Sequence, residues 1–108
     1  MGIFVVMKEN DGHYYVTLKA NGGRIILNSL KYITKTACKS RIETIRINAT
    51  DNLKYAYKKT FDGKFYFILK TVLGESLGYS KLYETADGRD DAIEILRKIA
   101  PLANVVDC

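Results

Sequence analysis

One histidine, two cysteines and no tryptophan leave this 108-residue chain little material for proton transfer or metal binding. General acid–base work needs titratable groups that converge in a pocket. His13 instead follows Asp11 and Gly12 in a tight turn and reads as an exposed turn residue. Cys38 and Cys108 lie seventy residues apart with no CxxC spacing and no histidine beside them, so neighbours in sequence cannot assemble a zinc ligand set. They read as free thiols of a reducing cytoplasm, Cys38 buried in a helix and Cys108 exposed at the end. No P-loop or GxGxxG run occurs, and the GxSxG spacing of Gly74, Glu75, Ser76, Leu77 and Gly78 falls in a strand pattern with no helix directly after it, so it is not a strand-to-helix nucleophile elbow. The acidic group Asp87, Asp90, Asp91 and Glu94 opens a helical pattern, where negative charge meets the positive end of the helix dipole. The expectation is a non-enzyme with no catalytic residue, cofactor or bound metal.

Charge offers more. The formal net charge is +5, and all of it belongs to residues 1–54, which carry nine basic and four acidic side chains; residues 55–108 carry eight of each. Lys35, Lys39 and Arg41 fall on the first helical pattern and are the candidate phosphate contacts, since a basic helix facing solvent can meet phosphates. Arg46 belongs to the same group, with Glu43 three residues back as a helix-surface partner. Composition excludes disordered and collagen-like classes, and no apolar run approaches the ~20 residues that span a bilayer. The start of the chain has no basic n-region or long apolar h-region, and Val6 stands where a myristoylation signal wants Ser or Thr. A cytoplasmic location without membrane contact is expected.

The elements that position these residues come in two copies. At an offset of 51 residues, Asp11 and Gly12 fall on Asp62 and Gly63, Tyr15 on Tyr66, Leu18 and Lys19 on Leu69 and Lys70, Ser29 on Ser80, Tyr32 on Tyr83, and Thr34 on Thr85. Each copy reads strand, strand, strand, helix: residues 4–9, 14–19 and 24–29 with a helix from Thr34 to about Ala49, then 53–60, 64–71 and 75–80 with a helix over 86–99 ended by Pro101. Residues 1–51 and 52–108 are therefore the two units of one compact domain. Val105 and Val106 could add a last edge strand. The fold class is α+β: two tandem βββα units forming a single antiparallel sheet with both helices on one face.

Alternation along the strands separates two faces. Tyr14, Val16 and Leu18 match Phe65, Phe67 and Leu69, apolar in both copies, and should lie under the helices. Tyr15, Thr17 and Lys19 match Tyr66, Ile68 and Lys70 and should form the open face, joined in the first copy by Val5, Met7, Ile25 and Leu27. A change at Thr17 is expected to matter far less than one at Leu18. Two uses of the open face suggest themselves. One is a protein contact, either self-association or an unidentified partner. The other is weak nucleic-acid binding, in which Tyr rings stack on bases while Lys side chains follow phosphates. The protein contact is favoured, because Val5, Met7, Ile25 and Leu27 make the face more apolar than a phosphate-tracking groove.

The run Asp62, Gly63, Lys64, Phe65, Tyr66, Phe67, Ile68, Leu69, Lys70 resembles the core strand of the YegP-like proteins, as do residues 21–29, the Tyr32, Thr34 and Lys35 that follow, and the helix end at Asn48 and Ala49. The likeness covers nearly the whole chain in the family's two-copy version, departing where Arg41 and Ala92 stand in place of a frequent glycine. It implies a small bacterial protein whose two units share one antiparallel sheet, helices on one side, with exchanged C-terminal strands. It implies no biochemical activity.

Overall fold

Runs of aromatic and β-branched residues become strands wherever glycine punctuates them. In the computed structural model, which describes residues 2–107, these are β1 (Ile3–Lys8), β2 (Tyr14–Lys19), β3 (Ile25–Ser29), β4 (Tyr55–Lys59), β5 (Phe65–Lys70), β6 (Ser76–Tyr79) and β7 (Asn104–Asp107). Gly12 and Gly63 reverse the chain at φ +89° and +90°, a region L-residues with a side chain rarely adopt. The helices are α1 (Lys35–Ala49) and α2 (Ala86–Ile99). Each starts where a threonine hydroxyl accepts an otherwise unpaired amide: Ala37 N donates to Thr34 Oγ1 and Gly88 N to Thr85 Oγ1, both at 3.0 Å. Met1 and Cys108, the latter expected as an exposed thiol, lie outside the described residues.

The seven strands form one sheet in the order β4-β5-β6-β3-β2-β1-β7. It is mixed rather than antiparallel throughout: β7 lies parallel to β1, with Phe4 opposite Val105 and Val5 opposite Val106, and every other pair is antiparallel. The parallel sense follows from the route, because the chain reaches β7 from α2 rather than through a hairpin. Inward residues of the sheet, such as Phe4, Val16, Leu18, Phe67 and Leu69, join Ile42 and Ile45 of α1 and Ile93 and Leu96 of α2 in a single buried cluster. No helix of the described residues is long and apolar enough to cross a membrane.

Strict alternation fails at one place in each half. Lys19 pairs with Ile25 and Leu18 with Leu27, so Ile26 is an extra residue in β3; likewise Lys70 pairs with Ser76 and Leu69 with Gly78, making Leu77 the extra residue of β6. Such a bulge sets two neighbours against one partner and keeps both near the same face. Ile26 and Leu27 are accordingly both in the core, and the expectation that Leu27 lies on the open face is corrected: it is 1% exposed.

Several repeated residues prove to be scaffold. Ser29 Oγ accepts from Val16 N at 2.8 Å and donates to Leu30 O at 2.8 Å. Ser80 Oγ likewise accepts from Phe67 N at 3.0 Å and donates to Lys81 O at 2.8 Å. Each hydroxyl satisfies a buried amide that would otherwise cost about 1–3 kcal/mol. Just beyond, Tyr32 bridges by main-chain bonds to Tyr14, and Tyr83 to Phe65. Arg46 is structural too: its Nη1 donates to Ala100 O and Pro101 O at 3.1 and 3.2 Å, and its guanidinium stacks over the Phe4 ring at 5.1 Å. It ties α1 to the end of α2.

Candidate functional site

The face of the sheet turned away from the helices is set by pairing. One row of facing residues crosses it from edge to edge: Ala56, Ile68, Tyr79, Asn28, Thr17, Val5 and Val106. Asn28 and Tyr79, equivalent positions at the offset of 51, sit opposite each other where the halves meet. Val5 and Met7 lie on this face half-buried, and Ile25 is exposed.

Tyr15, Lys19, Tyr66 and Lys70 are all half-buried on the same face. They do not form one cluster. β2 and β5 are separated by two strands and run in opposite directions, so three spacings of ~4.8 Å and four residues of ~3.3 Å put the two tyrosine backbones about 20 Å apart. Lys19 therefore lies toward the end of the sheet that holds Tyr66, and Lys70 toward the end that holds Tyr15. Neither lysine forms an ion pair among the described residues.

Two hollows flank the centre of the face and share Tyr79 as a wall. The one over the second half, about 420 Å³, is apolar, lined by Ile68, Tyr66 and Tyr79 with Leu30 and Leu82 on its rim. Its counterpart over the first half, about 350 Å³, is polar: Thr17, Asn28, Lys19 and the Glu9–Lys31 ion pair (2.8 Å) border it beside Met7 and Ile25. The positions are equivalent and the chemistry has diverged, Thr17 and Asn28 standing where Ile68 and Tyr79 stand in the other half. Thr17 is more enclosed than its open-face neighbours Tyr15 and Lys19. It points to the open side but is 3% exposed, and its Oγ1 donates to Asn28 Oδ1 at 2.9 Å. Lys70 borders a third, shallower hollow near the β4 edge.

The basic residues of α1 have partners within the chain. Lys35 and Lys39 hold the Asp107 carboxylate of β7 at 3.1 and 2.8 Å, and Arg41 lies over the Tyr32 ring at 5.9 Å, where burial pushes the Tyr32 phenol up. Hydrogen bonds from Lys39 and Lys35 hold the Asp107 carboxyl below the usual carboxylate range. A depressed carboxylate contributes stability above its unfolded value, near 3.8, and that contribution fades as pH falls through the lower folded value. Amide exchange in β7 is thus expected to speed up below about pH 4 relative to β2, and Asp107→Asn should remove the difference. Equal acid response of β7 in the two proteins would show that the carboxylate does not hold the strand.

The remaining chemistry is sparse. His13 stays in its turn, where its amide donates to Asp11 Oδ1 at 3.0 Å. Cys38 is fully buried, and burial raises its thiol, which disfavours the nucleophilic thiolate. Asp90 pairs with Arg89 and Glu94 with Arg97. Among the described residues no group of three His, Cys, Asp or Glu could hold a metal ion. The hollow-lining Tyr79, Leu30 and Leu82 were missed in the sequence, because identity between the copies was the signal followed and these positions differ between them.

An α+β protein with one mostly antiparallel seven-stranded sheet, two helices and an open face is the class that fold and site define. The family described as a domain of unknown function, DUF1508, matches residues 9–55 and again 62–107; the chain belongs to this family. It is similar to UPF0339 protein YegP of Escherichia coli K12, 36% identical over 92 residues covering 85% of this chain and 84% of that one. A UPF0339 protein from the ptx operon 5′ region of Stutzerimonas stutzeri is 35% identical over 106 residues, covering 98% and 96%. The solution NMR structure of E. coli YegP, a protein of unknown function, superimposes with a TM-score of 0.92 at 33% identity, covering 98% of this chain and 91% of that one. A UPF0339 protein of Shewanella oneidensis gives the same score at 26% identity, covering 98% and 90%.

Proposed function

We propose that the protein is a non-enzymatic interaction module that receives a protein partner on the open face of its sheet. The apolar hollow between Leu30, Ile68, Tyr79 and Leu82 carries this reading. Leu30, Tyr79 and Leu82 are 40%, 43% and 54% exposed around it, an apolar concavity on the open face. We read the chain as two tandem βββα units, with β7 handed from the second unit to β1 of the first, so that neither unit is complete alone. The buried, unpaired Cys38 suits a reducing, cytoplasmic setting.

Replacing Tyr79 and Leu82 together by serine tests the proposal. Both are surface positions, so the melting temperature should hardly move. Self-association in sedimentation, or capture of partner proteins from the native cell, should fall at least tenfold. Unchanged behaviour in both assays sinks it. Nucleic-acid binding is the alternative, supported by Lys19 and Lys70 forming no ion pair among the described residues. It requires Tyr15→Ala with Tyr66→Ala to weaken single-strand binding at least tenfold, with steep salt dependence. The ~20 Å between the two tyrosine backbones argues against stacking of successive bases on their rings.

A further inference from the structure

We propose that the two hollows together form a bipartite site for an extended peptide segment carrying an apolar side chain and, four residues away, an acidic one. This rests on the open face being a protein-docking surface and adds the chemistry of the partner.

Charge supplies the first reason. Among the described residues the only acid bordering either hollow is Glu9, and Lys31 already neutralises it at 2.8 Å. Lys19 at the edge of the polar hollow forms no ion pair among the described residues. In the same hollow Asn28 Oδ1 is engaged by Thr17, which directs the amide's donor end away from Thr17. Lys81 borders the apolar hollow as well, over the Tyr83 ring at 5.4 Å. A partner that fits is anionic where it meets the first half and apolar where it meets the second.

Geometry supplies the spacing. Ile68 and Thr17 lie three strands apart in one row, with Tyr79 and Asn28 between them, about 14 Å across the sheet. Extended chain advances ~3.3 Å per residue, so an apolar side chain seated over Ile68 places the fourth residue beyond it about 13 Å away, within reach of the long Lys19 side chain. Tyr79 is the wall the segment must cross, and its ring offers apolar contact to both sides. Nucleic acid fits this arrangement less well, because a phosphate backbone gains nothing from an apolar hollow.

The probes are three acetylated, amidated pentapeptides: leucine, three serines and then glutamate, glutamine or lysine. Titrated into ¹⁵N-labelled protein, the glutamate peptide should shift the amides of Ile68, Tyr79 and Thr17 and bind about three- to fivefold more tightly than the glutamine peptide. The lysine peptide should bind weakest. Lys19→Gln should erase the preference for glutamate while leaving the glutamine peptide unaffected. Lys70→Gln removes a charge from the same face outside both hollows and should leave the preference intact. If all three peptides shift Ile68 equally, the apolar docking surface survives and the bipartite site is wrong. If Lys70→Gln acts like Lys19→Gln, the attraction is a general field and the site is again wrong. No shifts from any peptide, or displacement of the glutamate peptide by a single-stranded oligonucleotide alone, overturns the proposal, while the Tyr79 and Leu82 variants still decide separately whether the face docks proteins.

Discussion

Leu18→Ala and Leu69→Ala are each expected to remove about 2–5 kcal/mol of unfolding free energy, the usual cost of truncating a buried leucine and leaving its cavity. The two residues are at equivalent positions on β2 and β5, 1% and 0% exposed, and both belong to the single cluster beneath the helices. In a domain whose total stability is of order 5–15 kcal/mol, either change removes a large part of it. Thr17, one residue before Leu18, provides the comparison. Its burial and its bond to Asn28 give Thr17→Ala a cost of about 0.5–1.5 kcal/mol, measurable but still well below that of Leu18→Ala. Urea denaturation followed by circular dichroism ranks the three. A loss at Thr17 equal to that at Leu18 would mean that the core does not lie on the face assigned to it.

What the sequence disclosed and what it hid have physical causes. The helix starts were legible because threonine caps are local: Thr34 and Thr85 each bond an amide three residues on. Leu18 and Leu69 were legible because β2 and β5 alternate without interruption. Leu27 was not, since a bulge is decided by the pairing of two strands, and nothing within Ile25–Ser29 announces that Ile26 is the extra residue. The ion pairs of Lys35 and Lys39 were not legible because their partner, Asp107, is about seventy residues away along the chain and reaches them only once β7 lies beside β1. The hollows were hidden for the opposite reason. Repetition marks the scaffold, as Ser29 and Ser80 show by making the same two bonds, whereas the site lies where the halves diverge, at Thr17 against Ile68 and Asn28 against Tyr79.

Gly78→Ala is expected to destabilise the protein by about 1–3 kcal/mol through overpacking, although glycine to alanine at an unstrained site usually stabilises. Gly78 has no positive φ, so space rather than backbone conformation demands glycine there. It faces Ser29 across the short β3–β6 pairing that joins the two halves, and a Cβ on it would lie 2.6 Å from Asn28 O and 3.2 Å from Leu27 Cγ. Its counterpart in the first half is Leu27 itself. Two inward leucines would compete for the same volume at the centre of the sheet; Leu27 fills it and Gly78 yields it. Gly78→Ala combined with Leu27→Ala should therefore cost less than the sum of the two single changes, with the clash against the Asn28 carbonyl left unrelieved. Tyr79 follows Gly78 directly, so the displaced seam should also move the wall between the two hollows and weaken binding on the open face along with stability. Two results would count against this account: a Gly78→Ala protein as stable as the parent, or costs that add within about 0.5 kcal/mol.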